Sequence, residues 1–348
     1  MNRLAVFAEA APEGYFLDKS DHHGLTGFLH AQAWIDPGDA VRDLAPAGEG
    51  NMNCTLRVTT GTRTLILKQS RPWVEKYPGI AAPVDRALQE GAFYAAVAHH
   101  RPVAQMMPEL LGVNRASRIL MLADLGPAAD YTGLYRGELI ESDDVDALLT
   151  YLSELHAVSA EPESARQFVN RNMRRLNHHH IFEFPLMTDA GLDLDAVTTG
   201  LQAEADRLRG EPDYVVAVTR LGDSYLADGR SLLHGDFFPG SWVKAEQGLR
   251  VIDPEFCFFG PPEFDVGVLL AHLYLSGQMP QIRQRVTAGY RRDDQFDDDL
   301  AAQFAGVEMM RRLLGVAQLP LMATLTEKHL WLERSRQLVC GRQPWRTI

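Results

Sequence analysis

Apolar and polar positions follow a strand-like period of two in the first third of the chain and a helical period over most of the rest. "CTLRVTT" (54–60) and "RTLILKQ" (63–69) are β-branched or apolar runs on either side of Gly61, which predicts a hairpin. "RILMLADLG" (118–126) reads as a further buried strand that stops at Gly126 and Pro127. Between them, "APVDRALQEGAFYAAVAHH" predicts a helix with Pro83 in its first turn. "SDDVDALLTYLSELHAVS" sets Val145, Leu148, Leu149, Leu152 and Leu155 on one helical stripe, with Ser142 as the expected N-cap. "FDVGVLLAHLYLSG" and "FAGVEMMRRLLGVAQ" predict core helices. Between the helical stretches, "SWVK" and "LRVID" predict two short strands, and Gly248 suits the turn that joins them. A strand-rich front and a helix-rich back predict an α+β chain of two lobes, residues 1–124 and 125–348, with a cleft between them.

Composition narrows the class. At 348 residues there is enough chain for two cores, and 46% hydrophobic and 23% charged residues are globular values. A net charge of −12 argues against nucleic-acid or anionic-membrane partners, which reward a basic face. Cys54, Cys257 and Cys340 are far apart, and their odd number fits buried, unpaired thiols in a reducing compartment. The start "MNRLAVFAEAAPEGY" is too weak for a signal peptide. "VGVLLAHLYL" falls short of the ~20 residues that span a bilayer, so a cytoplasmic protein is expected. The run His178–His180 lacks carboxylate or Cys neighbours at ligand spacing and is read as a solvated loop or helix end.

The chemistry concentrates in "LLHGDFFPGSWVKAEQGLRVIDPEFCFFGP" (232–261). Folding the hairpin brings Asp236, just before its first strand, near Asp253, which ends the second. Glu255 follows two residues later. Clustered carboxylates repel unless a cation neutralises them, and hard oxygen donors without sulfur favour Mg²⁺. Asp236 is then free to orient or deprotonate a hydroxyl, the layout of phosphoryl transfer. Such a site needs a lysine on an early strand to hold ATP phosphates and an acid on the next helix to orient it. Lys68 ends "LILK". Glu90 shares a helical face with Ala87, Phe93, Tyr94 and Val97, where an acid wants a buried partner.

These residues resemble the aminoglycoside-phosphotransferase/choline-kinase group, which has the protein-kinase-like fold, and within it the methylthioribose kinases. The His-x-Asp signature is present as His234 and Asp236, with Ser241 where Asn is usual. "DPEFCFFGPPEFDVG" matches the Asp-x-Glu segment and the helix start that follows it. "GEGNMN" (48–53) resembles the nucleotide loop, "LILKQSRP" the lysine strand, "MLADL" the adenine-contacting hinge and "MMRRLLGVAQ" a twin-arginine helix that reaches the substrate. The resemblance implies ATP and Mg²⁺ as cofactors and the 1-hydroxyl of methylthioribose as acceptor. It makes His234 and Asp236 the catalytic pair, with Asp236 the base, and Asp253 and Glu255 the metal ligands, joined by Ser241. Lys68, Glu90, Gly48, Gly50, Asn51, Asn53, Met121, Asp124 and Leu125 would serve the nucleotide. Arg311, Arg312 and Phe238 would lie near the substrate. Group members are often homodimers, and no interface is marked here.

Two adjacent arginines cannot share one helical face, so one of Arg311 and Arg312 could be solvated. Asp265 is expected to cap its helix and brace the catalytic loop. Phe238 and Pro239 replace the His and Thr of the methylthioribose kinases, the segment between Lys68 and Glu90 departs from theirs, and the chain is shorter, which alters the expected sugar pocket. Other hydroxylated acceptors (an aminoglycoside, a choline-like amino alcohol, a nucleoside) therefore stay open. A catalytically silent nucleotide-binding module or a metal-dependent hydrolase explains fewer of these residues.

Overall fold

The computed structural model describes residues 2–48, 52–158, 168–189 and 191–341. They form two compact units. One comprises residues 1–128 and 245–255, the other 129–244 and 256–348.

The first unit is built on an antiparallel sheet ordered β1-β2-β3-β5-β4, from β1 (Asp43–Pro46), β2 (Cys54–Thr59), β3 (Thr64–Gln69), β4 (Leu110–Asn114) and β5 (Ile119–Ala123). β2 and β3 form the expected hairpin, in register from Cys54↔Gln69 to Thr59↔Thr64. Asp39 clamps its loop, accepting from the Gly61 amide and the Thr62 hydroxyl. Strand alternation then decides the faces. Leu56, Val58, Leu65, Leu67, Ile119 and Met121 point to one side and are covered by Leu25 and Leu29 of the helix His22–Ala31. Lys68 therefore points to the other side, where Leu120, its register partner, abuts Gly91 of the helix Arg86–Val97. A slip of one residue would exchange the faces. The acid-bearing helix begins three residues later than its proline suggests: Pro83 precedes it, and Asp85 stands at the N-cap with its carboxylate drawn 2.6 Å from Arg118 instead of onto the helix.

The second unit is mostly helical. The helix Ser142–His156 starts at Ser142 itself, with Glu141 and not Ser142 at the N-cap. The helix Glu263–Leu275 has all but one of its residues buried, as an all-round apolar sequence requires. Asp265 lies inside its first turn while Pro262 occupies the cap position, so the carboxylate is left for other partners. The histidine run is half-buried instead of solvated: His178 ends the helix Arg171–His178 and a π-helical turn continues over His179–Glu183. Two short strand pairs flank the helices, β6 (Ala129–Asp130) with β8 (Trp242–Ala245), and β7 (Ser231–Leu233) with β10 (Phe258–Gly260). β9 (Gly248–Val251), which belongs to the first unit, begins at the predicted turn glycine, whose φ is 98°. Of the cysteines only Cys257 is buried. Cys54 and Cys340 are partly exposed, and none of the three forms a disulfide. No helix among the described residues is long and apolar enough to cross a membrane.

Helix Glu263–Leu275 packs against the twin-arginine helix Asp298–Leu314 through Gly267. A Cβ there would lie 2.7 Å from the Ala301 carbonyl oxygen and 2.8 Å from the Phe304 Cβ. In an open helix Gly→Ala gains up to about 1 kcal/mol, but overpacking a close contact costs about 1–3 kcal/mol. Gly267→Ala is therefore expected to lower stability in urea denaturation, and a gain would show that the two helices part freely.

Candidate active site

In the first unit β3 carries Lys68 into a nearly dry pocket. Its Nζ lies 2.5 Å from Glu90 Oε2 and 2.7 Å from Asp253 Oδ1, so the lysine and helix acid paired in sequence reasoning do meet. Burial works against the lysine's charge, but Asp253, Glu90 and Glu255 overcome it and raise its pKa. Burial pushes the Glu90 pKa up, while the Lys68 ammonium group 2.5 Å away pulls it down and favours the carboxylate. Glu255 is also pushed up by burial. It accepts from Asn53 Nδ2 at 2.7 Å and lies 3.7 Å from Arg86 Nε.

Sequence reasoning missed Arg86. It is fully buried and donates to the carbonyls of Arg71, Pro83, Met52 and Trp73, which ties the segment between Lys68 and Glu90 to the helix start. A basic residue four positions before Glu90 was the available signal. Asp253 has φ 64°, an uncommon value for a residue other than glycine, and its side chain remains 45% exposed. Three carboxylates thus face two cations. That negative excess and its hard oxygen donors fit a divalent ion such as Mg²⁺, which takes one or two carboxylates and completes its shell with water and phosphate. Among the described residues no group of three or more His, Cys, Asp or Glu is placed to hold a metal ion, so an ion here would rely on two carboxylates with water and phosphate.

The other nucleotide candidates scatter. Met121 belongs to the apolar core, Leu125 is half-buried, and Asp124 is bound by Arg57 at 2.8 Å while accepting from the Gly126 amide. Gly48 has φ 75°, whereas Gly50 and Asn51 lie outside the described residues.

In the second unit the loop after β7 presents His234, Gly235 and Asp236. Asp265 accepts from the amides of His234 (2.7 Å) and Gly235 (3.0 Å), and His156 Nε2 stands 3.2 Å from the same carboxylate. Gly235 has φ 85°, and a Cβ there would fall 2.3 Å from the Phe256 carbonyl oxygen, so no other residue fits. The buried Ser241 donates its hydroxyl to the Asp236 carbonyl at 3.0 Å, closing the loop. Phe237 anchors it by stacking on Tyr151.

Around the Asp236 carboxylate the two arginines converge. Arg311 Nη1 is 3.5 Å and Arg312 Nη2 3.3 Å from Asp236 Oδ1, and both are buried, which corrects the expectation that one could be solvated. Phe238 lies against the Arg312 guanidinium, 4.7 Å from ring centre to carbon. Both arginines pair with Glu308, which sequence reasoning passed over. An acid one turn before two arginines on a helix was its signal.

The sequence profile of the phosphotransferase enzyme family (APH) matches residues 43–302, some three quarters of the chain. The chain belongs to this family. The methylthioribose kinase of Exiguobacterium sibiricum is 27% identical over 335 residues, 83% of this chain and 84% of that one. The methylthioribose kinase of Erwinia tasmaniensis is 28% identical over 261 residues, 70% of this chain and 62% of its own length. Among solved structures, spectinomycin phosphotransferase APH(9)-Ia in complex with ADP and spectinomycin matches with a TM-score of 0.53 at 12% identity, over 91% of this chain and 96% of that one. The α+β, kinase-like fold expected from the sequence is the fold of the family.

His272, buried beside Glu308, supplies a pH dependence. Burial lowers its pKa to about 4, although the neighbouring Glu308 carboxylate raises it; Arg312 again lowers it and Asp236 raises it. Tyr135, on its other side, stays protonated because burial raises its pKa far above the usual value. An unfolded histidine titrates near 6.5, so the unfolded chain takes up a proton that the fold refuses, and stability falls as pH drops from about 6.5 toward 4. His272 alone is expected to cost about 2 kcal/mol between pH 7 and pH 5. Urea denaturation at several pH values should show this slope, and His272→Gln should flatten it. An unchanged slope in the variant would assign the effect to other groups.

Proposed function

We propose that the protein is an ATP- and Mg²⁺-dependent small-molecule kinase that transfers the γ-phosphoryl group to the 1-hydroxyl of 5-methylthioribose. The observation that carries this reading is the Asp236 carboxylate, held beside two buried arginines on a loop fixed by Asp265, in a chain of the phosphotransferase family whose relatives include methylthioribose kinases. Asp236 would accept the acceptor's proton through a carboxylate oxygen. Lys68, aimed by Glu90, would hold ATP phosphate oxygens, and Asp253 and Glu255 would hold Mg²⁺. Bound Mg²⁺ would neutralise charge that develops on the transferred phosphoryl group. His234 shapes the loop: it is fully buried, and its Nδ1 lies 3.4 Å from the Asp236 amide that points to it.

The surroundings of Asp236 also bear on the acceptor. Arg311 and Arg312 offset the charge of Asp236 and Glu308, so no negative excess is left there to attract an ammonium group, which disfavours choline-like amino alcohols and aminoglycosides and favours an uncharged sugar. Phe238 adds an apolar surface suited to a thioether. A nucleoside acceptor is the second reading, since it too is uncharged.

An ADP-release assay over methylthioribose, choline, an aminoglycoside and nucleosides should show turnover with methylthioribose first, abolished by EDTA and restored by Mg²⁺. Asp236→Asn should reduce turnover by about 10²–10⁴-fold with nucleotide affinity retained. Equal ADP release by parent and variant would remove Asp236 from the chemistry, and preference for choline or the aminoglycoside would reject the acceptor.

A further inference from the structure

Neighbouring residues on a helix project about 100° apart, so Arg311 and Arg312 should not serve one point. Yet both reach the same oxygen of Asp236. What draws them together is Glu308, one turn earlier on their own helix. Its Oε2 lies 3.1 Å from Arg311 Nη1, and its Oε1 lies 2.5 Å from Arg312 Nε.

This carboxylate is 1% exposed and takes a third donor, His272 Nε2, at 3.1 Å. On the far side of the imidazole, Tyr135 Oη stands 2.6 Å from Nδ1. The partners settle the tautomer: a neutral His272 donates through Nε2 to a carboxylate that can only accept, so Nδ1 accepts from the tyrosine hydroxyl. Burial opposes the charge on Glu308, but the two arginines and the imidazole overcome it. Asp236 and Glu308 together balance Arg311 and Arg312. Asn177 Oδ1 adds one contact to Arg311 at 3.5 Å.

We infer that Glu308, seated by His272 and Tyr135, is the positioning residue that aims both arginines at Asp236 and so sets the acceptor subsite, an inference that rests on the kinase reading. Sharing the arginines between two carboxylates keeps them from collapsing onto Asp236, which stays available to accept a proton.

Glu308→Gln keeps the volume and removes the charge. With the acceptor that turns over best, it is expected to raise the acceptor KM and lower kcat by about tenfold or more each, while the ATP KM stays within about twofold. Glu308→Asp, too short to span both arginines, should fall between. Tyr135→Phe, which removes one hydroxyl at the far end, should raise the acceptor KM less but in the same direction. A crystal structure of Glu308→Gln should show at least one guanidinium withdrawn from Asp236. The inference is overturned if both arginines keep their contacts there, if acceptor KM and kcat are unchanged, or if the ATP KM rises equally. Should Glu308→Gln fail to fold, an unchanged acceptor KM in Tyr135→Phe overturns it. A wild-type enzyme inactive on every acceptor would reject the kinase reading alone, because the variant's crystal structure still decides the role of Glu308.

Discussion

A charge taken out of water must find its opposite, and the charged cluster in each unit is organised by that constraint. Lys68 enters a nearly dry pocket only because Glu90 and Asp253 meet its ammonium group. Arg311 and Arg312 are buried only because Glu308 and Asp236 receive them. Removing the fully buried partner, Glu90 or Glu308, costs about 3–5 kcal/mol, since a cation is then left buried with too little opposite charge. Each set of side chains is thereby held in one arrangement, as a site acting by position and electrostatics requires.

Backbone constraints do the same for the loop that carries Asp236. Asp265 binds two successive amides, Gly235 supplies a positive φ where a Cβ would strike the Phe256 carbonyl, and Ser241 returns to the Asp236 carbonyl. Contacts within the chain itself thus set the shape of the loop. In the first unit, Arg86 performs the comparable task by binding four carbonyls.

Much of this was legible in advance. The period-two runs around Gly61 predicted the β2–β3 hairpin because a half-buried strand must alternate. Glu90 on an apolar helical face implied a buried cation, and Lys68 is that cation. Cap assignments did worse, at Ser142, Pro83 and Asp265, because several polar residues near a helix start compete for one position and long-range partners choose among them. The histidine run does mark a helix end, but its partial burial was not legible, since packing of neighbouring helices decided it.

What the sequence by itself determined was the periodicity of its elements, the fold class and the types of side chain available for phosphoryl transfer, all of which depend on residues close together along the chain. Tertiary structure decided which charges share a pocket. Helical spacing alone separates Arg311 from Arg312, whereas a carboxylate one turn away and another across the fold bring them to a single oxygen. Such convergence depends on distances between distant segments, and only packing sets those.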